Sequence, residues 1–341
     1  MLRGFALLMV WLGTALLVLA LAAGLSFWER QAGATVHAGA ESPVKVVVPE
    51  GAGFARIGAM LQAQGLLSDG RILAWMARLE GKAGQLRAGE YRISPDMPLA
   101  RLLDDMVRGR VVTYRLTIRE GATFGEFLRE LAAAEPLEQT LAGLEATALP
   151  DALGLDLDHP EGWFFPDTYV YRRGDRDRDL LLQAHQAMQE RLALAWAQRD
   201  PDLPLEDPYE LLILASVVER ETGLDAERPQ VAGVFVNRIE RGMRLQSDPT
   251  IIYGLGEDYR GTIYRSDLRR DTPYNTYTRD GLPPTPIALP GQAALDAVSR
   301  PAESDYLYFV ADANGGHVFS RTLAQHNRAV RAYRRALAEQ R

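Results

Sequence analysis

The chain contains no cysteine. Disulfides, thiolate nucleophiles and cysteine metal sites are excluded together. Histidine is scarce. The five present (His37, His159, His185, His317 and His326) are scattered and show no HExxH-type spacing, so no histidine-built metal centre is expected. Long basic blocks are also missing, and the formal net charge is −7, which argues against nucleic acid as a partner. What is present is ordinary for a globular protein with a proper core: 47% hydrophobic and 24% charged residues over 341 positions. That length fits two or three domains at ~100–200 residues each.

The N-terminus is the first distinctive segment. Gly4 to Trp28 is 25 residues without a charge. At ~1.5 Å per residue a helix of that length crosses a ~30 Å hydrocarbon layer with some tilt. Arg3 before it and Trp28 at its end fit a cytoplasmic N-terminus and an interfacial anchor. A cleaved signal peptide is the competing reading, with Ala20-Leu-Ala-Ala-Gly24 as the cleavage site. The apolar stretch, however, runs on past it to Trp28 and exceeds the ~7–15 residues usual for such peptides. The expected division is therefore residues 1–3 cytoplasmic, 4–28 a transmembrane anchor, and a small, polar linker over 29–42, with everything after it outside the membrane.

A strand–helix–helix–strand–helix pattern follows over residues 43–112. Val44-Lys-Val-Val-Val48 is a strand, Phe54-Ala-Arg-Ile-Gly-Ala-Met-Leu61 has helical spacing with Gly65 to stop it, and Gly89-Glu-Tyr-Arg-Ile93 is a second strand. Met97 to Val107 is a helix ending near Gly109. This pattern resembles the LysM fold, a module that binds cell-wall glycan; a spacer without a ligand has the same pattern. Residues 113–204 form a connecting segment. Arg115-Leu-Thr-Ile118 and Phe124-Gly-Glu-Phe-Leu-Arg-Glu-Leu131 repeat the earlier grammar, and Leu131 to Ala195 reads as largely helical, with breaks at Pro136, Pro150 and 161–171. That last stretch, Glu161-Gly-Trp-Phe-Phe-Pro-Asp-Thr-Tyr-Val-Tyr171, holds five aromatics. It is either a core strand or a cleft wall on which sugar rings stack.

Residues 205–341 carry the chemistry. Leu211-Leu-Ile-Leu-Ala-Ser-Val-Val218 is a buried helix segment that leads into Glu219, Arg220 and Glu221, with Gly223 as its C-cap. The partial negative charge of a helix C-terminus and partial burial both disfavour an ionised carboxylate. A Glu placed there holds its proton near neutral pH and can act as a general acid; a solvated helix end is the plain alternative. Two residues on a helix differ by ~200° in direction, so Glu219 and Glu221 cannot both face one cleft. Next comes a helix over 231–239, with Asp225 as N-cap and Pro229 near its start, and another begins at Ser247 or Asp248 before Pro249. The proline-rich loop Gly281-Leu-Pro-Pro-Thr-Pro-Ile-Ala-Leu-Pro-Gly291 has the stiffness of a loop that frames a binding site. A hairpin across Asn314-Gly315 and a final helix capped by Thr322 close the chain.

Several long motifs in fixed order carry a resemblance. They are Glu161-Gly-Trp-Phe-Phe-Pro-Asp-Thr-Tyr169, Ala215-Ser-Val-Val-Glu-Arg-Glu-Thr222, Val234-Phe-Val-Asn-Arg238, Met243-Arg-Leu-Gln-Ser-Asp-Pro-Thr250, Pro273-Tyr-Asn-Thr-Tyr277 and Gly281-Leu-Pro-Pro284. Pro290-Gly291, Tyr306-Leu-Tyr-Phe-Val310, Gly315-Gly-His-Val-Phe319 and His326-Asn327 complete them. The chain resembles the endolytic murein transglycosylases (YceG-like), membrane-anchored bacterial enzymes that cut peptidoglycan strands. The fold implied is α+β: one transmembrane helix, a small LysM-like module and a mixed α+β, lysozyme-like catalytic domain.

The resemblance maps the catalytic carboxylate onto Glu221. It implies cleavage of the β-1,4 bond from N-acetylmuramic acid to N-acetylglucosamine, with closure of a 1,6-anhydro ring, and it requires neither metal nor organic cofactor. Gln246, Asp248, Asn275 and Tyr277 are candidates for substrate hydrogen bonds; a cap, a turn residue or a core position are the structural alternatives for Asp248, Asn275 and Tyr277. His317 and His326 read as structural. The partners implied are the glycan strand, the cytoplasmic (inner) membrane and penicillin-binding synthases, with the catalytic domain in the periplasm. Two other functions remain open: a peptidoglycan-binding scaffold without turnover, and a hydrolase with Glu227 or Asp248 as second carboxylate.

Overall fold

The computed structural model describes residues 2–32, 35–37, 41–313 and 315–339, which divide into two compact units. One comprises residues 1–114 with 172–174, the other 115–171 with 175–341. In the first, α1 (Leu2–Ala32) is a continuous helix. Its described side chains from Trp11 to Gly24 are all exposed. The described side chains of α1 are confined to Met9, residues 11–24 and Ser26, and among the described residues no helix is long and apolar enough to cross a membrane.

After the short β1 (Thr35–Val36) come β2 (Val44–Val48), α2 (Phe54–Ala63), α3 (Arg71–Leu79), β3 (Gly89–Ile93), β4 (Met97–Pro98) and α4 (Leu99–Arg108). The strand–helix–helix–strand–helix order read from the sequence between 44 and 112 is found, with the short β4 added and the last helix starting at Leu99 rather than Met97. β2 pairs antiparallel with β3, with Val46 opposite Tyr91. Val46 and Val48 face the core while Lys45 and Val47 face out, as the two-residue period of a half-covered strand dictates. α2, α3 and α4 cover the inner face with Ile57, Leu61, Leu73, Met76 and Leu103. α2 and α3 meet at two glycines: a Cβ on Gly58 would stand 1.9 Å from the Gly70 carbonyl oxygen, so only glycine permits this approach.

β5 (Tyr114–Thr117) leads into the second unit and pairs with β6 (Thr168–Tyr171). Between them lie α5 (Phe124–Ala132), opened by a capping box between Thr123 and Glu126, and the short α6 (Leu149–Leu153). α7 (Asp177–Ala197), α8 (Pro208–Glu221), α9 (Arg228–Glu240), α10 (Asp248–Leu255) and α11 (Gln292–Ser299) follow. The chain ends with β7 (Tyr308–Ala311), β8 (His317–Ser320) and α12 (Leu323–Glu339). The helical expectation from Leu131 to Ala195 is thus corrected. Most of 133–176 is turns and loop, and only α7 is long. Within 161–171, strand is confined to the last four residues.

α8 is the axis of this unit. Residues Leu211 to Val218 are all buried, because helices and loops surround it; a helix apolar on all faces is stable only in such a place. Its one polar interior residue, Ser216, is satisfied on both sides: Oγ donates to the Ile213 carbonyl (2.7 Å) and accepts from the Ile287 N–H (2.9 Å). That second bond pins the proline-rich loop along α8. β7 and β8 form an antiparallel hairpin in the register Tyr308 opposite Ser320; its expected turn residue Asn314 lies outside the described residues.

Candidate active site

Glu221 is the last residue of α8. The helix opens with the Asp207 side chain accepting from the Glu210 N–H (2.9 Å) and Pro208 at its first turn. It does not close on a glycine. The cap is Thr222, in extended conformation (φ −142°, ψ 132°), and this corrects the expectation of a Gly223 cap. An extended Thr222 ends the helix directly behind Glu221, and the Thr222 hydroxyl then accepts from the Leu224 N–H (3.1 Å).

The Glu221 carboxylate accepts a short hydrogen bond from the Ser247 hydroxyl (2.5 Å). Burial pushes its pKa up to about 7, and the Asp248 charge adds to the rise; the Ser247 bond and the Arg238 guanidinium oppose it. The group is thus protonated in a large fraction of molecules near neutrality, the condition for a general acid.

Ser247 is itself held with care. It is 1% exposed, and its N–H donates to the Thr276 hydroxyl (3.0 Å) while its carbonyl accepts from the Thr250 hydroxyl (2.7 Å). Just before it, Gln246 lies in left-handed backbone space (φ 52°), a costly position for a residue with a Cβ. Two groups hold it there. The Gln246 N–H donates to the Thr276 carbonyl (3.1 Å). The buried Arg238 guanidinium donates to the carbonyls of Leu245 (2.7 Å), Arg244 (3.1 Å) and Leu307 (2.6 Å), and reaches Gln246 Oε1 at 3.4 Å.

Of the sequence candidates, Gln246 and Asp248 are exposed and flank Ser247. Tyr277 donates its hydroxyl proton to Asp248 Oδ1 (2.6 Å). Asn275 differs. It is 1% exposed, its Nδ2 donates to the carbonyls of Asp267, Leu268 and Arg270, and its Oδ1 accepts from the Tyr277 N–H. With donors and acceptor committed inside the protein, Asn275 is a loop organiser and offers nothing to a substrate; its turn reading replaces its substrate-contact reading. Glu219 points the other way, as the helical angle requires. It accepts from the Gly291 N–H (3.0 Å) and pairs with buried Arg228 (3.5 Å). Arg228 also pairs with Asp225; α9 starts at Arg228 with Glu227 in the cap position, so Asp225 does not cap it as expected. Glu227 receives the His317 N–H (3.0 Å) and lies 2.7 Å from His317 Nδ1. It ties the hairpin to the start of α9.

Sequence reasoning passed over Ser247, Thr276 and Arg238 as site residues. All three were visible only as parts of motifs or, for Ser247, as a helix start, and nothing in their local pattern marks a hydroxyl or guanidinium that acts through the fold. It also passed over Glu161. That carboxyl is 3% exposed, accepts from the Phe124 N–H (2.8 Å) and the Tyr253 hydroxyl (3.1 Å), and is pushed by burial to about 7. Among the described residues no cluster of ligating side chains suited to a metal ion occurs.

The sequence profile of the YceG-like family matches residues 46–332. A protein of Bacillus subtilis named endolytic murein transglycosylase is 29% identical over 315 residues, covering 87% of each chain. One of the same name from Streptococcus pneumoniae is 30% identical over 317 residues, covering 83% of this chain and 57% of its own. The crystal structure of a YceG-like protein from Listeria monocytogenes superposes with a TM-score of 0.55 at 28% identity, over 85% of this chain and 99% of that one.

Proposed function

The chain belongs to the YceG-like family, and from that premise we propose that it is an endolytic lytic transglycosylase of murein with Glu221 as its catalytic residue. The observation that carries the reading is a half-buried Glu221 with its pKa raised to about 7, aligned by the Ser247 hydroxyl. A glycosidase of the usual kind needs two carboxylates, one acid and one base or nucleophile. One suffices where the nucleophile belongs to the substrate. Protonated Glu221 gives its proton to the glycosidic oxygen as the bond to C1 breaks. The resulting carboxylate takes the proton of the muramyl 6-hydroxyl, whose oxygen attacks C1 and closes the 1,6-anhydro ring. Tethering nucleophile to electrophile supplies a large intramolecular advantage. Gln246 and the Asp248–Tyr277 pair flank the acid and are the substrate contacts of this reading.

The same proposal extends to the setting. α1 is the membrane anchor. It is a helix of 31 residues, about 46 Å long, within which Gly4 to Trp28 carries no charge, and its exposed apolar side chains (Trp11, Leu12, Leu16, Val18 and Leu19 among them) cover every side. Arg3 favours a cytoplasmic N-terminus and a periplasmic catalytic unit. Residues 43–112 serve as a LysM-like glycan module; an antiparallel β2–β3 pair covered by α2 and α3 supports that. A tethered enzyme of this kind meets strands as penicillin-binding synthases extrude them, and sets their ends.

Mass spectrometry of purified murein digested with the protein tests the function. Fragments with 1,6-anhydromuramyl ends are expected. Reducing muramyl ends indicate a hydrolase, and unchanged murein indicates a scaffold; either result removes the proposal.

A further inference from the structure

Beyond Asp248, at the far end of α10, the segment from Leu255 to Arg270 encloses an open depression of about 290 Å³. Its wall carries Arg260, Thr262, Tyr264 and Ser266, with Arg270 beside two carboxylates, Asp258 and Asp267. The Tyr264 ring is 57% exposed. Arg270 is paired with Asp258 (3.2 Å), while Arg260 has no ion-pair partner among the described residues. An exposed aromatic beside a free guanidinium and two hydroxyls suits a ligand with a flat apolar face and an acidic group.

The depression is built into the catalytic site by three consecutive residues. Asn275 holds its floor through the carbonyls of Asp267, Leu268 and Arg270. Thr276 holds Ser247, the partner of Glu221. Tyr277 holds Asp248. The Tyr264 N–H also donates to Asp267 Oδ2 (2.8 Å), so the aromatic is set by the floor that Asn275 fixes. α10 runs about 10 Å from Asp248, beside Ser247, to Leu255 on the depression wall, a length that a polymer lying along it bridges.

We propose that this depression is a distal subsite for a peptide-bearing sugar of the strand, with Tyr264 stacking on the sugar and Arg260 receiving a carboxylate of its peptide stem. This rests on the reading of the protein as a murein-cutting enzyme. Its consequence is selectivity: strands that keep their acidic peptides are cut faster than strands stripped of them.

The test compares the full-length protein in detergent with its Arg260→Gln and Tyr264→Ala variants, on peptide-bearing strands and on the same strands stripped with an amidase. For the wild type, KM on peptide-bearing strands is expected to be about tenfold lower, the scale of one charge-assisted contact. Arg260→Gln should abolish that preference with kcat unchanged. Tyr264→Ala should raise KM on both substrates. Equal KM values for wild type on the two substrates, or a preference that survives Arg260→Gln, overturn the subsite while leaving the murein-cutting reading intact. If wild type generates no cleavage products from either substrate, that reading falls and the subsite with it.

Discussion

At the scale of single residues, the account depends on how one carboxyl is kept protonated and aimed. Burial raises the Glu221 pKa and the Ser247 hydroxyl lowers it, so Ser247 trades acidity for direction. Glu221→Gln keeps the shape of the side chain and removes the proton that moves; cleavage should fall by at least the ~10²–10⁴ attributed to a general acid, with the thermal melt unchanged. Ser247→Ala should lower kcat about tenfold and move the alkaline limb of the rate profile upward, because the bond that opposes the rise is gone. A stopped assay across pH reads both effects. Glu219→Gln should be milder in kcat, since Glu219 meets Gly291 and Arg228 and not Ser247.

Among elements, the helices at the site follow from local sequence while their ends do not. The apolar run from Leu211 to Val218 announces a buried helix, and α8 is found over Pro208–Glu221. Its closure at Thr222 was hidden. Gly223 has the chemistry of a cap, but the backbone had already turned out at Thr222, so that Glu221 could meet Ser247. The angle between Glu219 and Glu221 was legible because helix geometry alone fixes it. The Arg238–Gln246–Thr276 grip was not, because it joins residues far apart in the chain and leaves no periodic trace. The same holds for Asn275, whose turn role depends on carbonyls five to eight residues away. In the first unit, the α2–α3 crossing is set by two facing glycines. Gly58→Ala should lower stability by about 1–3 kcal/mol through overpacking, measurable as a lower midpoint in urea.

For the whole molecule, two carboxyls, the buried Glu161 and the half-buried Glu221, couple folding to pH. Glu161 and Glu221 are both raised from 4.5 to about 7. Between these values the native state holds protons that the unfolded chain has released. The stability they contribute is therefore complete below about pH 4.5 and is lost as pH rises through about 7. Glu161→Gln is neutral at every pH. Its melting temperature should fall less than that of the wild type between about pH 5 and 8; an equal fall would show that Glu161 does not titrate in this window. The proposed anchor is tested at the same scale. Removal of residues 1–32 should shift the protein from the membrane to the soluble fraction after cell lysis, and recovery in the membrane fraction would argue against α1 as the anchor.

The central claim is that one carboxyl, protonated near neutrality, performs the cleavage. The most direct measurement is the pH dependence of kcat/KM for release of anhydro-ended fragments, run on wild type and Ser247→Ala side by side. Activity is expected to persist to neutral pH and decline through an apparent pKa near 7, with the decline moved to higher pH in the variant. Activity already lost by about pH 5 as pH rises, or a limb that does not move when Ser247 is removed, would contradict it.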